Sequence, residues 1–191
     1  MRSTIWYRTF LPLLLSYLLL FGAALLLDYA LHGIGMAWVG RYLGIAGTLL
    51  ILISFAYSLR KRGAIHRASP RRLLRLHEVL GWLGPVMILV HSGIHFNAIL
   101  PWLAATTMMI VVASGHLGKF LLRRARQGLE ARRSDLHRVG LTDAEIEQRL
   151  FLDSIAVNVL NQWRTIHIPV VMLFATLSLV HILSILFFWN G

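Results

Sequence analysis

The sequence predicts an all-α integral membrane protein, a bundle of five transmembrane helices with the N-terminus cytoplasmic and the C-terminus outside. Of its 191 residues, 57% are hydrophobic and only 14% are charged, a composition too apolar for a soluble domain. Five stretches with few or no charges are each long enough to cross a hydrocarbon core about 30 Å thick. Lysine and arginine collect in alternate connections, which predicts the orientation.

We predict a single membrane domain over 1–191, with an amphipathic helical insertion on the cytoplasmic side between the fourth and fifth helices. The expected helices cover about 10–27, 42–59, 73–97, 102–118 and 166–189, and the insertion covers 119–164. The first stretch is apolar over too great a length for a cleaved signal peptide. Glycines at 33, 35 and 40 predict a turn region over 29–41, and Ser69-Pro70 predicts a turn before the third helix.

The third helix contains three glycines, at positions 81, 84 and 93, which leave parts of its surface without side chains. Small residues allow two helices to pack closely in a membrane. They would equally allow a flat cofactor to approach the backbone. The sequence favours neither interpretation over the other.

The insertion is the longest polar segment of the chain. Its stretch from Thr142 to Glu145 predicts a capping box that begins a helix. The apolar residues that follow predict an amphipathic helix lying on the membrane surface or against a partner: Ile146, Leu150, Ile155 and Val159. Because the segment is long for a connection in a compact domain, we expect a partner subunit to dock on it. A plain surface linker is the alternative.

The positions of the basic residues indicate that they set the orientation of the chain in the membrane. Of the 19 lysines and arginines, 18 lie at the N-terminus, in 60–75 or in the insertion, and Arg41 alone lies on the opposite side. This distribution is typical of cytoplasmic loops. We therefore interpret the net charge of +11 as a topology signal, with membrane lipid rather than nucleic acid as the partner. The chain has no cysteine, which excludes disulfides and thiolate-bound clusters.

Four histidines occur in two matched pairs. His77 and His91 are fourteen residues apart in the third helix, and His167 and His181 are fourteen apart in the fifth. Fourteen residues make nearly four turns, so each pair shares one face and rises about 21 Å. The two helices run in the same direction, which places one histidine of each at the inner level and one at the outer level. This arrangement suits two stacked haems with two axial histidines each.

Two other interpretations of these histidines were weighed. A histidine in a membrane helix often forms hydrogen bonds between helices, but four at matched depths favour ligation. Zinc is a poorer candidate, because two histidines per level fall short of its usual four ligands. The sequence therefore predicts inner-haem ligands His77 and His167 and outer-haem ligands His91 and His181.

Four arginines are candidate partners for the haem propionates. Arg72, Arg75 and Arg164 are near the inner ligands, although the positive-inside rule explains any one of them equally well. Arg41 is the only basic residue expected outside, and it is the candidate for the outer haem.

Two further histidines in the spans have open roles. His95 lies one turn beyond His91 and is interpreted as a hydrogen-bonding group. His116 lies toward the cytoplasmic end of the fourth helix, where it would border a quinone site if one exists. Quinone is therefore a second candidate cofactor.

At its four paired histidines the chain resembles the ferric-reductase-like transmembrane domain of NADPH oxidases and metalloreductases. The resemblance covers about 11–189, and Leu89-Val90-His91 echoes Leu179-Val180-His181. It implies two haems b held by the third and fifth helices. The sixth helix of that family and its flavin and nicotinamide module have no counterpart here. The chain is similar to bacterial stand-alone cytochrome subunits of this type, which implies the bacterial inner membrane.

The expected function is a dihaem b-type cytochrome subunit that carries electrons across the cytoplasmic membrane. Its donor would be a separate cytoplasmic protein or a quinol, and its acceptor would lie outside. Two alternatives remain open. One is a quinone-reactive membrane anchor of a larger oxidoreductase, and the other is a non-redox membrane scaffold or transporter.

Overall fold

The computed structural model describes residues 2–61, 63, 69–93 and 98–188, with side chains except at 2–10, 156, 159, 160 and 164. All regular secondary structure in these ranges is helical. The helices are α1 (Arg2–Gly33), α2 (Val39–Ser54), α3 (Ala56–Lys61), α4 (Pro70–Ser92), α5 (Ile99–Leu117), a π-helical turn (Gly118–Leu122), α6 (Arg123–Arg138), α7 (Asp143–Arg149), α8 (Phe151–Asn161) and α9 (Trp163–Phe188).

Five of the helical segments are long and apolar enough to cross a membrane. They are Leu11–Gly33, Val39–Lys61, Pro70–Ser92, Ile99–Arg138 and Thr165–Phe188. The prediction of an all-α protein with five candidate membrane-spanning helices is confirmed. Most of the large apolar side chains on these segments face outward, as helices facing lipid require.

Two helices end at residues other than those predicted, because glycines that follow them adopt positive φ angles. α1 continues to Gly33 and the chain turns at Gly35, whose φ is 72°. α4 ends at Ser92 rather than at 97, because Gly93 has a φ of 52°. Glycine enters this left-handed region without the steric penalty of a Cβ atom, so it ends helices readily.

Apolar side chains from α1, α4 and α5 form the core of the bundle. Leu20 and Ala24 of α1 pack with Val86 and Val90 of α4 and with Val112 of α5. Leu20 is completely buried. These contacts fix the depth of α4 relative to the first and fourth spans.

Glycines bring α2 and α4 into close contact. A Cβ atom at Gly47 would lie 2.9 Å from the carbonyl oxygen of Gly84, and one at Gly84 would lie 2.8 Å from Ile51. A Cβ atom at Gly81 would meet nothing within 4 Å. For Gly84, the interpretation as a helix-packing residue is therefore the one that the contacts favour.

The predicted insertion is a helical hairpin that prolongs two of the spans. α5, the π-helical turn and α6 form one continuous helix of 40 residues, Ile99–Arg138. α8 returns beside α6, joined to it by an ion pair between Arg132 and Asp153 of 2.6 Å. The predicted apolar residues of the insertion lie in and around α7 and α8, and their placement on a membrane surface or against a partner stays a prediction.

The apolar residues of the insertion pack mainly within the hairpin. Ile146 is completely buried and Leu150 is buried, and both line a crevice with Leu129 of α6. Ile155 is exposed. The side chain of Val159 lies outside the described part of the structure. The predicted amphipathic pattern is thus largely used to join α6, α7 and α8.

The predicted capping box at the start of α7 is confirmed. Thr142 accepts a hydrogen bond from the Glu145 backbone N–H, and the Glu145 carboxylate accepts from the Thr142 backbone N–H at 2.9 Å. The Thr142 hydroxyl also donates to that carboxylate at 2.8 Å. Each residue therefore satisfies a backbone group of the other.

This capping box makes the stability of α7 dependent on pH. The Thr142 backbone N–H and then its hydroxyl lower the pKa of Glu145. A lowered folded-state pKa adds stability above the unfolded value, and this stability is lost as pH falls through the folded value. We expect an NMR titration of the Glu145 carboxyl to give a pKa below the usual range. Thr142→Val should return it to the usual range, and an unchanged pKa in that variant would contradict the assignment.

Candidate functional site: four histidines on two spans

The four paired histidines lie on α4 and α9, both beside the fourth span. Glu78, next to His77, lies 2.6 Å from Lys119, and Gly118, next to Lys119, lies against Trp163, one turn before His167. His77 and His167 are thus at the same end of the bundle, and His91 and His181 are fourteen residues further along their helices. We call the first two the insertion-end pair, because α9 begins beside the hairpin, and the other two the far-end pair. Fourteen residues of helix separate the levels by about 21 Å.

The fourth span supports the two helices that bear these histidines. α5 packs against α4 and, more extensively, against α9. In the described ranges, α4 and α9 do not pack extensively against each other. Other helices therefore position these histidines: α2 on the side of α4, and α5 on the side of α9.

The backbone of α2 holds the ring of His77. The Nδ1 atom of His77 lies 3.1 Å from the carbonyl oxygen of Ser54. Because a carbonyl only accepts, Nδ1 carries the hydrogen and donates it. In a neutral imidazole this leaves Nε2 with a free lone pair, the form that ligates metals. Tyr57 packs beside the ring at a centroid distance of 5.7 Å.

His91 is held in the same way at the far end of the bundle. Its Nδ1 lies 3.1 Å from the carbonyl oxygen of Gly40, so it too donates. The ring lies directly against Gly44, where a Cβ atom would be 2.5 to 2.7 Å from three ring atoms. Only glycine at position 44 leaves room for the ring in this place.

His167 forms a hydrogen bond with a hydroxyl group of α5. Its Nδ1 lies 2.6 Å from Ser114 Oγ, and the same Oγ lies 2.8 Å from the carbonyl oxygen of Val111. When Ser114 donates its one hydrogen to Val111, it accepts from His167 Nδ1–H and Nε2 is free; when it donates to Nδ1, the hydrogen of the ring is on Nε2.

The fourth ring, His181, is partly exposed at the level of His91. Ser184 donates to the backbone carbonyl of His181 at 2.8 Å. Two of the four rings, His77 and His91, thus have a tautomer fixed by a backbone carbonyl. All four sit in pairs drawn from two different helices.

The donor set fits the iron of a haem. A haem with two axial histidines needs one imidazole nitrogen from each side, and each level offers two imidazoles. Hydrogen bonds from Nδ1 to carbonyl and hydroxyl groups are the usual outer partners of metal-bound histidine. Within 2–61, 63, 69–93 and 98–188 there is no group of three or more metal-ligating side chains of the kind that zinc prefers.

The remaining histidines use their rings differently. His116 engages Nε2, which lies 3.0 Å from Ser16 Oγ. His32 bonds to the Asp28 carbonyl oxygen in its own helix, and His137 lies 3.3 Å from the Asp143 carboxylate. His95 lies outside the described residues. His32 thus donates from Nδ1 to a carbonyl as His77 and His91 do, but within its own helix, whereas the bonds of His77 and His91 reach carbonyls of another helix, α2.

The candidate propionate partners lie on exposed surfaces. Arg72 and Arg75 are exposed near the start of α4, two turns or less from His77. Arg41 is exposed and directly follows Gly40, whose carbonyl binds His91. The side chain of Arg164 lies outside the described part of the structure. Arg41 is therefore at the far-end level, where the sequence predicts its partner.

Sequence reasoning missed an ion-pair cluster beside His77. Glu78 lies 2.6 Å from Lys119 and 3.9 Å from Arg123, and it joins α4 to the junction of α5 and α6. It is the only acidic residue within the five predicted spans, a signal that could have identified it. Ser54 and Gly40 act through backbone carbonyls, which residue type does not reveal.

No protein-family model, curated protein or solved structure matches this chain. The chemistry of the site therefore has to be derived from the geometry of its own residues.

Proposed function

We propose that the chain is a dihaem b-type cytochrome subunit that carries single electrons across the cytoplasmic membrane. The observation that supports this most directly is the shared tautomer of His77 and His91, one at each level. Both rings donate from Nδ1 to a carbonyl of α2, which leaves the Nε2 lone pair for a metal. Hydrogen bonding between helices would fix the rings, but it does not require the same nitrogen to be free at two levels.

The roles of the residues follow from these contacts. His77 and His167 would hold one haem, and His91 and His181 would hold the other. Haem iron, when bound, supplies the one-electron chemistry. The Ser54 and Gly40 carbonyls would orient their rings and raise their basicity, and the Ser114 hydroxyl would orient His167.

The proposed orientation follows the basic residues. The hairpin and the insertion-end pair would lie on the cytoplasmic side of the bacterial inner membrane, and the far-end pair would lie outside. Electrons would enter from a cytoplasmic protein or a quinol and leave to an acceptor outside. We propose the hairpin as the docking site of a partner oxidoreductase subunit, since Phe151 and Leu152 of α8 are 61% and 76% exposed.

The proposal is tested by haem quantitation and a reduced-minus-oxidised spectrum on the purified full chain. We expect two haems b per chain, both with the spectrum of low-spin iron bound to two histidines. Metal analysis of the same sample distinguishes iron from zinc. A colourless chain that still folds and binds its partner would contradict the proposal and favour the scaffold or transporter alternative.

A further inference from the structure

The indole of Trp163 lies beside the insertion-end pair. Trp163 begins α9 and stands four residues before His167, so the two side chains share one face of the helix. Their ring centroids are 4.8 Å apart with an interplanar angle of 58°. The indole thus covers one side of the His167 imidazole.

The position of this indole depends on Gly118, in the π-helical turn between α5 and α6. A Cβ atom at Gly118 would lie 2.6 to 2.9 Å from three atoms of the Trp163 ring. The Nε1 atom of Trp163 is buried and has no hydrogen-bond partner in the part of the chain that the structure describes. Packing against Gly118, rather than a hydrogen bond, therefore holds the indole in place.

The continuous helix of α5 and α6 thus supports His167 twice. Ser114 binds its Nδ1 directly, and Gly118, four residues later, supports the indole that packs beside the ring. Residues four apart lie on the same helix face. A π-helical turn within an α-helix is frequently found at functional sites, and here it is the turn that receives Trp163.

We propose that Trp163 is a positioning residue that fixes the plane of the His167 imidazole, and that Gly118 is required for it to do so. This inference rests on the proposed function, in which His167 is an axial ligand. The orientation and hydrogen bonding of an axial histidine tune the iron that it binds. Without the indole, the ring loses its aromatic neighbour and keeps its Nδ1 bond to Ser114, about which it can rotate.

Two substitutions remove the support in different ways, and two serve as controls. Trp163→Leu keeps an apolar side chain but loses the flat ring, and Gly118→Ala displaces the indole. Trp163→Phe keeps an aromatic face and loses the five-membered ring with its unpartnered N–H. Gly81→Ala adds the same methyl group to a helix glycine with open space around it.

In the haem-loaded chain, we expect Trp163→Leu and Gly118→Ala to shift the reduction potential of one haem and not of the other. A tenfold change in the one-electron equilibrium corresponds to about 59 mV. The electron paramagnetic resonance signal of the same haem should move, whereas Trp163→Phe and Gly81→Ala should resemble the wild type. Unchanged potentials and signals in Trp163→Leu, with both haems present, would overturn the inference.

A measurement on the haem-free chain separates this inference from the proposed function. With histidine labelled selectively with ¹⁵N, the His167 ring signals can be assigned by their loss in His167→Ala. Trp163→Leu and Gly118→Ala should shift these signals, and Trp163→Phe should largely preserve them. Shifted signals in a chain that never binds haem would retain the positioning role and reject the cytochrome. Unshifted signals would reject the positioning role whatever the haem content.

Discussion

Replacing His91 or His181 with alanine is expected to remove one of two haems and to leave the other in place. In either variant the far-end haem would lose one of its two protein ligands, and the remaining histidine cannot complete an axial pair. The insertion-end pair lies about 21 Å away along the helices and shares none of the contacts of His91 with Gly40 and Gly44. Haem per chain, measured by extraction, should therefore fall by half.

The controls for this prediction are histidines whose rings are used differently. His116→Ala and His137→Ala should keep both haems, because these rings bond through Nε2 to Ser16 and to the Asp143 carboxylate. His95→Ala should also keep both. If the haem content and absorption spectrum of either far-end variant matched the wild type, the substituted residue would not be a ligand.

Gly44→Ala should weaken the binding of the same haem, although Gly44 is not itself a ligand. The added methyl group would lie 2.5 to 2.7 Å from the Cγ, Cδ2 and Nδ1 atoms of His91, closer than non-bonded atoms come. Either the ring moves or α2 moves, and both break the bond from Nδ1 to the Gly40 carbonyl. Losing such an outer partner typically costs about 10- to 100-fold in metal affinity, and overpacking costs about 1–3 kcal/mol of stability.

Gly81→Ala is the matched control for this second prediction. It lies in α4, and its added methyl group meets nothing within 4 Å. Haem titration of the two variants should show weakened binding at one site in Gly44→Ala and unchanged binding at both sites in Gly81→Ala. Equal affinities in the two variants would show that the contact with Gly44 does not position His91.

The sequence was sufficient to predict the spans because lipid requires long apolar stretches, which are visible without any tertiary information. It did not predict where two of them end. Gly33 and Gly35 look alike in the sequence, but only Gly35 adopts a positive φ. The hairpin was also missed, because Ile146 and Leu150 pack against α6. An amphipathic pattern alone does not tell a protein surface from a lipid surface.

For the candidate site, the spacing of the histidines predicts which of them would share a haem, and this pairing stays a prediction. It could not predict what holds them. Gly40 and Ser54 contribute backbone carbonyls, which every residue type possesses, and their use depends on the close approach of α2 to α4. Ser114 lies two residues before His116, yet it is Ser114 that contacts a member of the pairs.

The contact between Gly118 and Trp163 also has a consequence for the architecture of the chain. The polypeptide leaves the bundle at one of these residues and re-enters it at the other, so the two junctions are immediate neighbours. Segments whose ends meet in this way can be grafted or excised with a short linker. We therefore expect the hairpin to be exchangeable, so that a bundle that keeps residues 118 and 163 accepts a different one.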